Sequence, residues 1–401
     1  MTVSAKVLQR IVIILGIVWM AWSLRMRAVT LLPIDYDEDD YLRAAQLYAK
    51  IIRSRTWQQL SDVTFNSEHP PLAKLAFGVA IASLPPAPEI PERSATDPAA
   101  MSLPQPHLTR ARTLSAVFGT LEVLLLALLN PLAGMLLALH TLTIKYTSCV
   151  MLEALPAFTS AVAVVAYERS QVYNGKGWNR WLTLSAIALG LTTSSKYTYG
   201  IAGAAILAHW LLTAGADIIR NPRSGLQMGL RMVGWCTLGL LVFLATDPYL
   251  WPSPLERLQG SVSYHLEFSR SFLIRAMNLP FFMPIVWLFM WAPGHPNVIP
   301  IGLDPLIAVL AILGFKSLWR TRPLYAIWII TALLFLFLWP TKWPQYVLIL
   351  TFPWALAAAQ GLENTVWPRV RRGLWRTLTS QLPRSGGDRG VVLSGRVPAF
   401  W

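Results

Sequence analysis

Long apolar runs, separated by short polar segments, recur along the whole chain. They cover residues 11–22, 114–129, 155–166, 181–191, 201–212, 232–244, 306–315, 325–338 and 346–359. With their flanking residues, several reach the roughly 20 residues that a helix needs to cross a bilayer. The pattern therefore predicts an all-α polytopic membrane protein with about ten transmembrane helices.

The composition excludes a soluble domain. Of the 401 residues, 54% are hydrophobic and only 13% are charged, whereas a soluble domain carries about a quarter charged residues. The net charge of +14 would suggest nucleic acid as the partner of a soluble protein. Here the basic residues cluster at the ends of apolar runs, so the predicted partners are membrane lipids and not nucleic acid.

Basic clusters predict the orientation of the chain in the membrane. They lie at residues 6–10, 169–180, 220–231, 316–322 and 369–376. The positive-inside rule places these clusters, and with them both termini, in the cytoplasm. Arg25 and Arg27, at the outer end of the first span, are exceptions. The scheme divides the chain into a transmembrane module, residues 1–362, and a basic cytoplasmic tail, residues 363–401.

Two large external loops follow from this topology, residues 35–110 and 247–301. Residues 41–53 carry apolar side chains with helical spacing, which is typical of a helix lying on the membrane surface. A second short helix is predicted after Pro70-Pro71, over residues 72–83. The short apolar run 281–291 is too brief to span, so an interfacial or re-entrant helix is expected there.

An acidic cluster opens the first loop. Asp35-Tyr36-Asp37-Glu38-Asp39-Asp40 holds five carboxylates within six residues, where the chain leaves the bilayer. Such a carboxylate can act as a general base toward a hydroxyl, and like charges nearby raise its proton affinity. Capping of the following helix is an alternative explanation for Asp39 and Asp40, but it explains Asp37 and Glu38 less well.

Several motifs, in this order, resemble those of the protein O-mannosyltransferases. They are Asp37-Glu38, His69-Pro70-Pro71-Leu72-Ala73-Lys74, Arg112-Thr113-Leu114-Ser115-Ala116-Val117-Phe118-Gly119, Met151-Leu152-Glu153-Ala154, Lys196-Tyr197, Pro248-Tyr249-Leu250-Trp251-Pro252 and Lys342-Trp343-Pro344-Gln345-Tyr346. The wider pattern is similar to that of bacterial lipid A aminoarabinose transferases and other phospholipid-carrier-dependent glycosyltransferases of the GT-C class. The chain departs from the family in Ala73, where glycine is usual, in Glu153, where aspartate is usual, and in having no large soluble external domain.

The resemblance implies a GT-C-like helical bundle and a reaction at its outer face. A hexose such as mannose, or a pentose, would move from a polyprenyl phosphate to a hydroxyl of a protein, lipid or glycan in one inverting displacement. Asp37 would be the base, and Glu38 would orient the acceptor or an arginine. The compact form favours a prokaryotic plasma membrane, with the active site facing outside.

The phosphate leaving group needs positive charge rather than a proton. The resemblance and this requirement together give a set of candidate substrate-binding residues: His69, Lys74, Arg112, Glu153, Lys196, Arg270, Lys342 and Tyr346. Structural alternatives stay open for several of them. Lys196 and Lys342 could extend from helix ends toward water, Arg112 could pair with Glu38, and Glu153, expected within a span, could pair with Lys145.

Two rival functions and one structural test complete the prediction. A transporter or flippase of an anionic lipid or lipid-linked sugar should show paired halves with broken helices, and a non-catalytic glycolipid-binding subunit would not need Asp37-Glu38. No cofactor is required, although clustered carboxylates leave a divalent cation open. If the site is correct, Asp37, His69, Arg112 and Lys342 should line one outward cavity.

Overall fold

The computed structural model describes residues 3–91, 102–172, 178–220 and 222–366. The basic tail predicted at 363–401 therefore lies almost wholly outside the described residues. Within the described part, every regular element is a helix. The α-helices are α1 (Val3–Leu31), α2 (Glu38–Ser54), α3 (Leu72–Ala82), α4 (Gln105–Leu129), α5 (Pro131–Leu139), α6 (Thr141–Tyr146), α7 (Ala154–Val172), α8 (Arg180–Ser195), α9 (Ile201–Arg220), α10 (Pro222–Thr246), α11 (Pro254–Ser269), α12 (Phe272–Met277), α13 (Met283–Phe289), α14 (His295–Val298), α15 (Asp304–Thr321), α16 (Pro323–Leu338) and α17 (Leu348–Gly361).

Each predicted apolar run lies within an α-helix, except that the run 346–359 begins in a 3₁₀ turn, Pro344–Val347, directly before α17. The all-α membrane fold is confirmed. In the described residues, four helices are long and apolar enough to cross a membrane by length and composition: Ala5–Leu31, Gln105–Leu129, Gly225–Thr246 and Pro344–Asn364. The other apolar helices are shorter or less apolar, so the total of about ten spans stays a prediction. Long lipid-facing side chains such as Leu15 and Trp19 on α1 are exposed, as expected where a bilayer rather than protein surrounds the helix.

The helices predicted in the two loops are present. In the first loop, α2 buries Tyr41, Ala44, Ala45 and Tyr48 and packs against α3. The two helices approach closely at Gly78, where an added Cβ would lie 2.6 Å from the Cβ of Tyr48. In the second loop, α13 is the short helix expected near residues 281–291. Two further helices of this loop, α11 and α12, precede α13.

An irregular, fully buried stretch interrupts the bundle between α6 and α7. We call residues 147–153 the inner segment; every one of its side chains is 2% exposed or less. Non-helical backbone is tolerated at membrane depth only where protein or a polar cavity surrounds it. Its four central residues, 149–152, are apolar and give no sign of this break in the sequence. The segment runs beneath the acidic cluster and holds several groups of the site described next.

Candidate active site

A cavity of about 920 Å³ opens between the first loop, the helices of the second loop and the residues that follow α16. Both carboxylates and aromatic rings line it. The lining residues used below are Asp35, Asp37, Asp40, Tyr41, Glu68, His69, Tyr146, Lys196, Tyr264, His265, Trp339 and Tyr346. Acidic and aromatic groups around one opening suit a ligand that carries both polar and apolar surface.

Among the residues that the structure describes, Asp37 differs from its acidic neighbours in that its carboxylate makes no hydrogen bond or ion pair. It precedes the first turn of α2, but its side chain makes no capping hydrogen bond, and no residue that the structure describes forms an ion pair with it. Burial raises the pKa of Asp37 to about 7, and the nearby charge of Lys196 opposes that rise. A carboxylate that faces a cavity and titrates near neutral pH is suited to general-base chemistry.

Glu38 has a different environment from Asp37, although the two are adjacent in sequence. Its carboxylate is fully buried and accepts hydrogen bonds from Arg112 Nε at 2.8 Å, from the backbone N–H of Val150 at 2.6 Å and from that of Asp35 at 2.9 Å. Glu38 therefore does not line the cavity. Its position agrees with the expectation that it orients an arginine.

Arg112 fixes the turn that leads from α1 into α2. Besides Glu38, its guanidinium donates to the carbonyl oxygens of Val29 and Leu32, each at 3.0 Å, and of Pro33 at 2.9 Å. Its donors are thus engaged by the protein, and it lies outside the cavity. The structural alternative, a buried pair with Glu38, is the arrangement that the structure shows.

Lys196 is the one predicted cation that lines the large cavity. It follows the last residue of α8, its ammonium group pairs with Glu153, and it lies 5.1 Å from the centre of the Tyr346 ring. The alternative that Glu153 pairs with Lys145 is wrong. Glu153 occupies the turn just before α7, and Lys145 pairs with Asp35 at 2.6 Å instead.

His69 faces the cavity, whereas Lys74 supports it from behind. The His69 ring lies 5.1 Å from the ring of His265, whose Nε2 is 3.1 Å from the carbonyl oxygen of Glu68. Burial and nearby positive charge lower the pKa of His69 well below its ordinary value, so the ring is neutral at neutral pH. Lys74 is buried and donates to the carbonyl oxygens of Asn66 and His69; it holds this turn and does not reach the cavity.

The remaining predicted cations lie elsewhere. Lys342 donates to the carbonyl oxygens of Leu336, Phe337 and Trp339, which caps the end of α16. It lines a smaller cavity of about 210 Å³ together with Arg275. Arg270 is exposed at the end of α11. Four residues were expected to line one cavity, and Asp37 and His69 do so. The expectation is wrong for Arg112 and Lys342, because buried cations take the nearest carbonyl or carboxylate oxygens.

Some cavity residues were not predicted from the sequence. Tyr146 is the last residue of α6 and Trp339 directly follows α16. Aromatic residues are usual near the ends of membrane helices, so neither carries a distinct signal. Their position at the cavity depends on the breaks after α6 and α16. Among the residues that the structure describes, no group of three or more histidine, cysteine or carboxylate side chains is arranged to hold a metal ion.

The all-helical architecture is shared with solved membrane proteins of the GT-C fold. Two solved structures of ArnT from Cupriavidus metallidurans share the fold: one in the apo state, with a TM-score of 0.55 and 14% identity, and one bound to undecaprenyl phosphate, with a TM-score of 0.53 and 15% identity. Each match covers 94% of this chain and 64% of the ArnT chain. This chain therefore spans somewhat less than two thirds of the length of ArnT.

The motif resemblance is confirmed by a family model. The model of the dolichyl-phosphate-mannose-protein mannosyltransferases matches residues 52–245, a little less than half of the chain. The protein O-mannosyltransferase Pmt1-Pmt2 complex of S. cerevisiae, bound to the sugar donor, matches with a TM-score of 0.46 and 16% identity, over 62% of this chain and 34% of that chain. No curated protein sequence matches the chain significantly. The matched range includes His69, Lys74, Arg112, Glu153 and Lys196 but begins after Asp37.

Proposed function

We propose that this protein is an integral membrane glycosyltransferase that moves a sugar from a polyprenyl phosphate to an acceptor hydroxyl, with Asp37 as the general base. The observation that carries the proposal is the Asp37 carboxylate, unpartnered among the described residues, at the wall of a cavity of about 920 Å³. Mannose is the first sugar to test, because the matching family model is that of mannosyltransferases.

The proposed reaction is a single displacement at the anomeric carbon. The acceptor oxygen forms a bond to that carbon while the bond from the carbon to the phosphate oxygen breaks, so the configuration inverts. Asp37 takes the proton of the acceptor hydroxyl, and the polyprenyl phosphate leaves as an anion. A carboxylate with a pKa of about 7 is deprotonated often enough at neutral pH to accept that proton.

Lys196 is the residue that we assign to the leaving phosphate. It is the predicted cation at the cavity, and its ammonium charge would stabilise the negative charge that develops as the phosphate leaves. The pair with Glu153 holds the ammonium group in place. The ArnT structure with bound undecaprenyl phosphate shows that a protein of this fold binds such a carrier, which supports the same donor class here.

The aromatic residues of the cavity suit the sugar and the carrier lipid. Tyr41, Tyr264 and Trp339 present ring faces and edges close to His69 and His265. Sugar rings and isoprene units both pack well against such surfaces. We place this cavity at the outer membrane face, as the basic clusters predict. The proposed acceptor is a hydroxyl group of a protein, a lipid or a glycan.

The test is transfer by the purified protein in lipid nanodiscs from a panel of polyprenyl-phosphate sugars. Wild type should transfer at least one sugar, Asp37→Asn should lose that activity, and Glu89→Gln, an exposed acid of the same loop, should keep it. Transfer by Asp37→Asn at the wild-type rate would remove Asp37 as the base. Failure with every donor, together with movement of a lipid-linked sugar across vesicles, would favour the transporter.

A further inference from the structure

A buried arginine lies in the first membrane-spanning helix, away from the cavity. Arg25 of α1 is 0% exposed, although a charge inside a membrane is costly and such residues are usually functional. Its Nε donates to Thr147 Oγ1 at 2.9 Å and its Nη1 contacts the carbonyl oxygen of Ala21 at 3.3 Å. The proposed chemistry makes no use of it, and the basic-cluster pattern treats it as an exception.

The facing helix is shaped to receive this side chain. An added Cβ at Gly119 of α4 would lie 2.6 Å from Arg25 Nε and 2.3 Å from Thr147 Oγ1. Glu122, three residues further along α4, is 1% exposed, and its charge attracts that of Arg25. Neither Glu122 oxygen has a hydrogen-bond partner among the residues that the structure covers. Arg25 is therefore held in a glycine-lined recess by its hydrogen bond to Thr147, and Glu122 lies nearby on the same helix face without forming an ion pair with it.

Arg25 contacts the inner segment at its first residue. The same seven residues carry two further contacts to the site: the N–H of Val150 donates to Glu38 at 2.6 Å, and Glu153 pairs with Lys196. The backbone N–H groups of Thr147 and Ser148 donate to the carbonyl oxygens of Thr143 and Lys145, each at 3.0 Å, which ties the start of the segment to α6. The rest of the segment is not helical, so side-chain contacts contribute to where it lies. A shift of the segment relative to α1 would move Glu38 and Glu153 together.

We propose that Arg25 is a positioning residue that acts through Thr147 on the inner segment and so places Glu38 and the Glu153–Lys196 pair around Asp37. The inference rests on the proposed function, because it treats Asp37 and Lys196 as the reacting groups. Arg25 touches neither the cavity nor Asp37. Its effect is on the distance between Lys196 and Asp37.

The positioning role of Arg25 can be tested without measuring sugar transfer, through the protonation of Asp37. The groups whose charges act on Asp37 are Lys196, which favours its ionised form, and Glu153, Asp35 and Asp40, which oppose it. If Lys196 retreats, the carboxyl group of Asp37 becomes harder to ionise. Protonation of Asp37 can be followed from the pH dependence of its modification by a water-soluble carbodiimide, with mass spectrometry to locate the label. Wild type should show a midpoint at about 7.

Three variants separate positioning from packing. Thr147→Val removes the acceptor of Arg25 Nε, and the double variant Arg25→Met with Glu122→Gln removes both charges, which avoids leaving one buried charge unpaired. Ser185→Ala is the matched control, because it deletes a buried acceptor, that of Trp235 Nε1 at 3.1 Å, between α8 and α10 and without contact to the inner segment. All three should fold and should lose some thermal stability.

The first two variants should move the Asp37 midpoint upward by about half a pH unit or more, which makes the protonated fraction at about pH 8 roughly threefold larger. Ser185→Ala should leave the midpoint unchanged. Reduced stability with an unchanged midpoint in both test variants would overturn the proposal and leave Arg25 a packing residue. If wild type transfers no sugar, the proposed function fails, while the midpoints still decide whether Arg25 positions the groups around Asp37.

Discussion

Single residues of the acidic cluster have separate roles because their surroundings differ. Asp35 is paired with Lys145, Glu38 with Arg112, and Asp37 faces the cavity. The sequence identifies the cluster but cannot separate its members, because pairing depends on residues more than 70 positions away. The same holds for the cations: Lys74 and Lys342 match family motifs, yet both are engaged by backbone carbonyls.

Removal of the Lys196 charge should slow the transfer reaction. Lys196→Met should lower kcat about 100-fold or more, because the charge on the leaving phosphate develops in the transition state, and should change the KM for the donor less. Lys50→Met is the matched control, since Lys50 is exposed on α2 outside the cavity, and it should behave as wild type. Steady-state kinetics with the preferred donor provide the measurement. A kcat within threefold of wild type in Lys196→Met would exclude this assignment.

Elements were predicted well where periodicity or proline marks them, and poorly elsewhere. The spacing of apolar residues predicted α2, and Pro70-Pro71 predicted the start of α3. The inner segment was missed because Cys149, Val150, Met151 and Leu152 resemble the interior of a transmembrane helix. Its irregular path depends on contacts with buried residues of other helices, and those contacts cannot be predicted from the local sequence.

Helices α15 and α17 pack closely at a glycine. An added Cβ at Gly314 of α15 would lie 1.9 Å from the carbonyl oxygen of Ala357 on α17, so the helices must separate to accept it. Gly314→Ala should lower the free energy of unfolding by about 1–3 kcal/mol, seen as a lower midpoint of thermal unfolding in detergent. Gly16→Ala on α1 is the control, because no atom lies within 4 Å of its added Cβ. Equal stability of the two variants would show that α15 and α17 are not packed this closely.

At the scale of the whole molecule, the motifs and the fold agree. The ordered motifs predicted the GT-C resemblance, and both the family model and the ArnT structures support it. What the sequence could not provide is the shape of the cavity, which requires first-loop residues, α11 and the segment after α16 to meet. The first-loop residues of the cavity, 35–69, lie more than 180 residues before α11, which ends about 70 residues before the segment after α16. Their meeting follows from the packing of the intervening helices.

The orientation of the protein in the membrane is predicted by its basic residues. The basic clusters place the first loop outside and residues 316–322 inside. In a Cys236→Ser background, a membrane-impermeant maleimide added to intact cells should label Gln58→Cys, which is exposed in the first loop, and should spare Arg320→Cys until the membrane is opened. The reverse labelling would invert the topology and place the cavity on the cytoplasmic side.

The most direct test of the central claim is the pH dependence of kcat/KM for the preferred donor. Asp37 must be ionised to accept a proton, and burial raises its pKa to about 7. Activity should therefore rise about tenfold per pH unit at acid pH and level off above about pH 7. The Asp37→Asn variant should retain only residual transfer without this acid limb. A flat wild-type profile, or the same acid limb in Asp37→Asn, would contradict the assignment of Asp37 as the base.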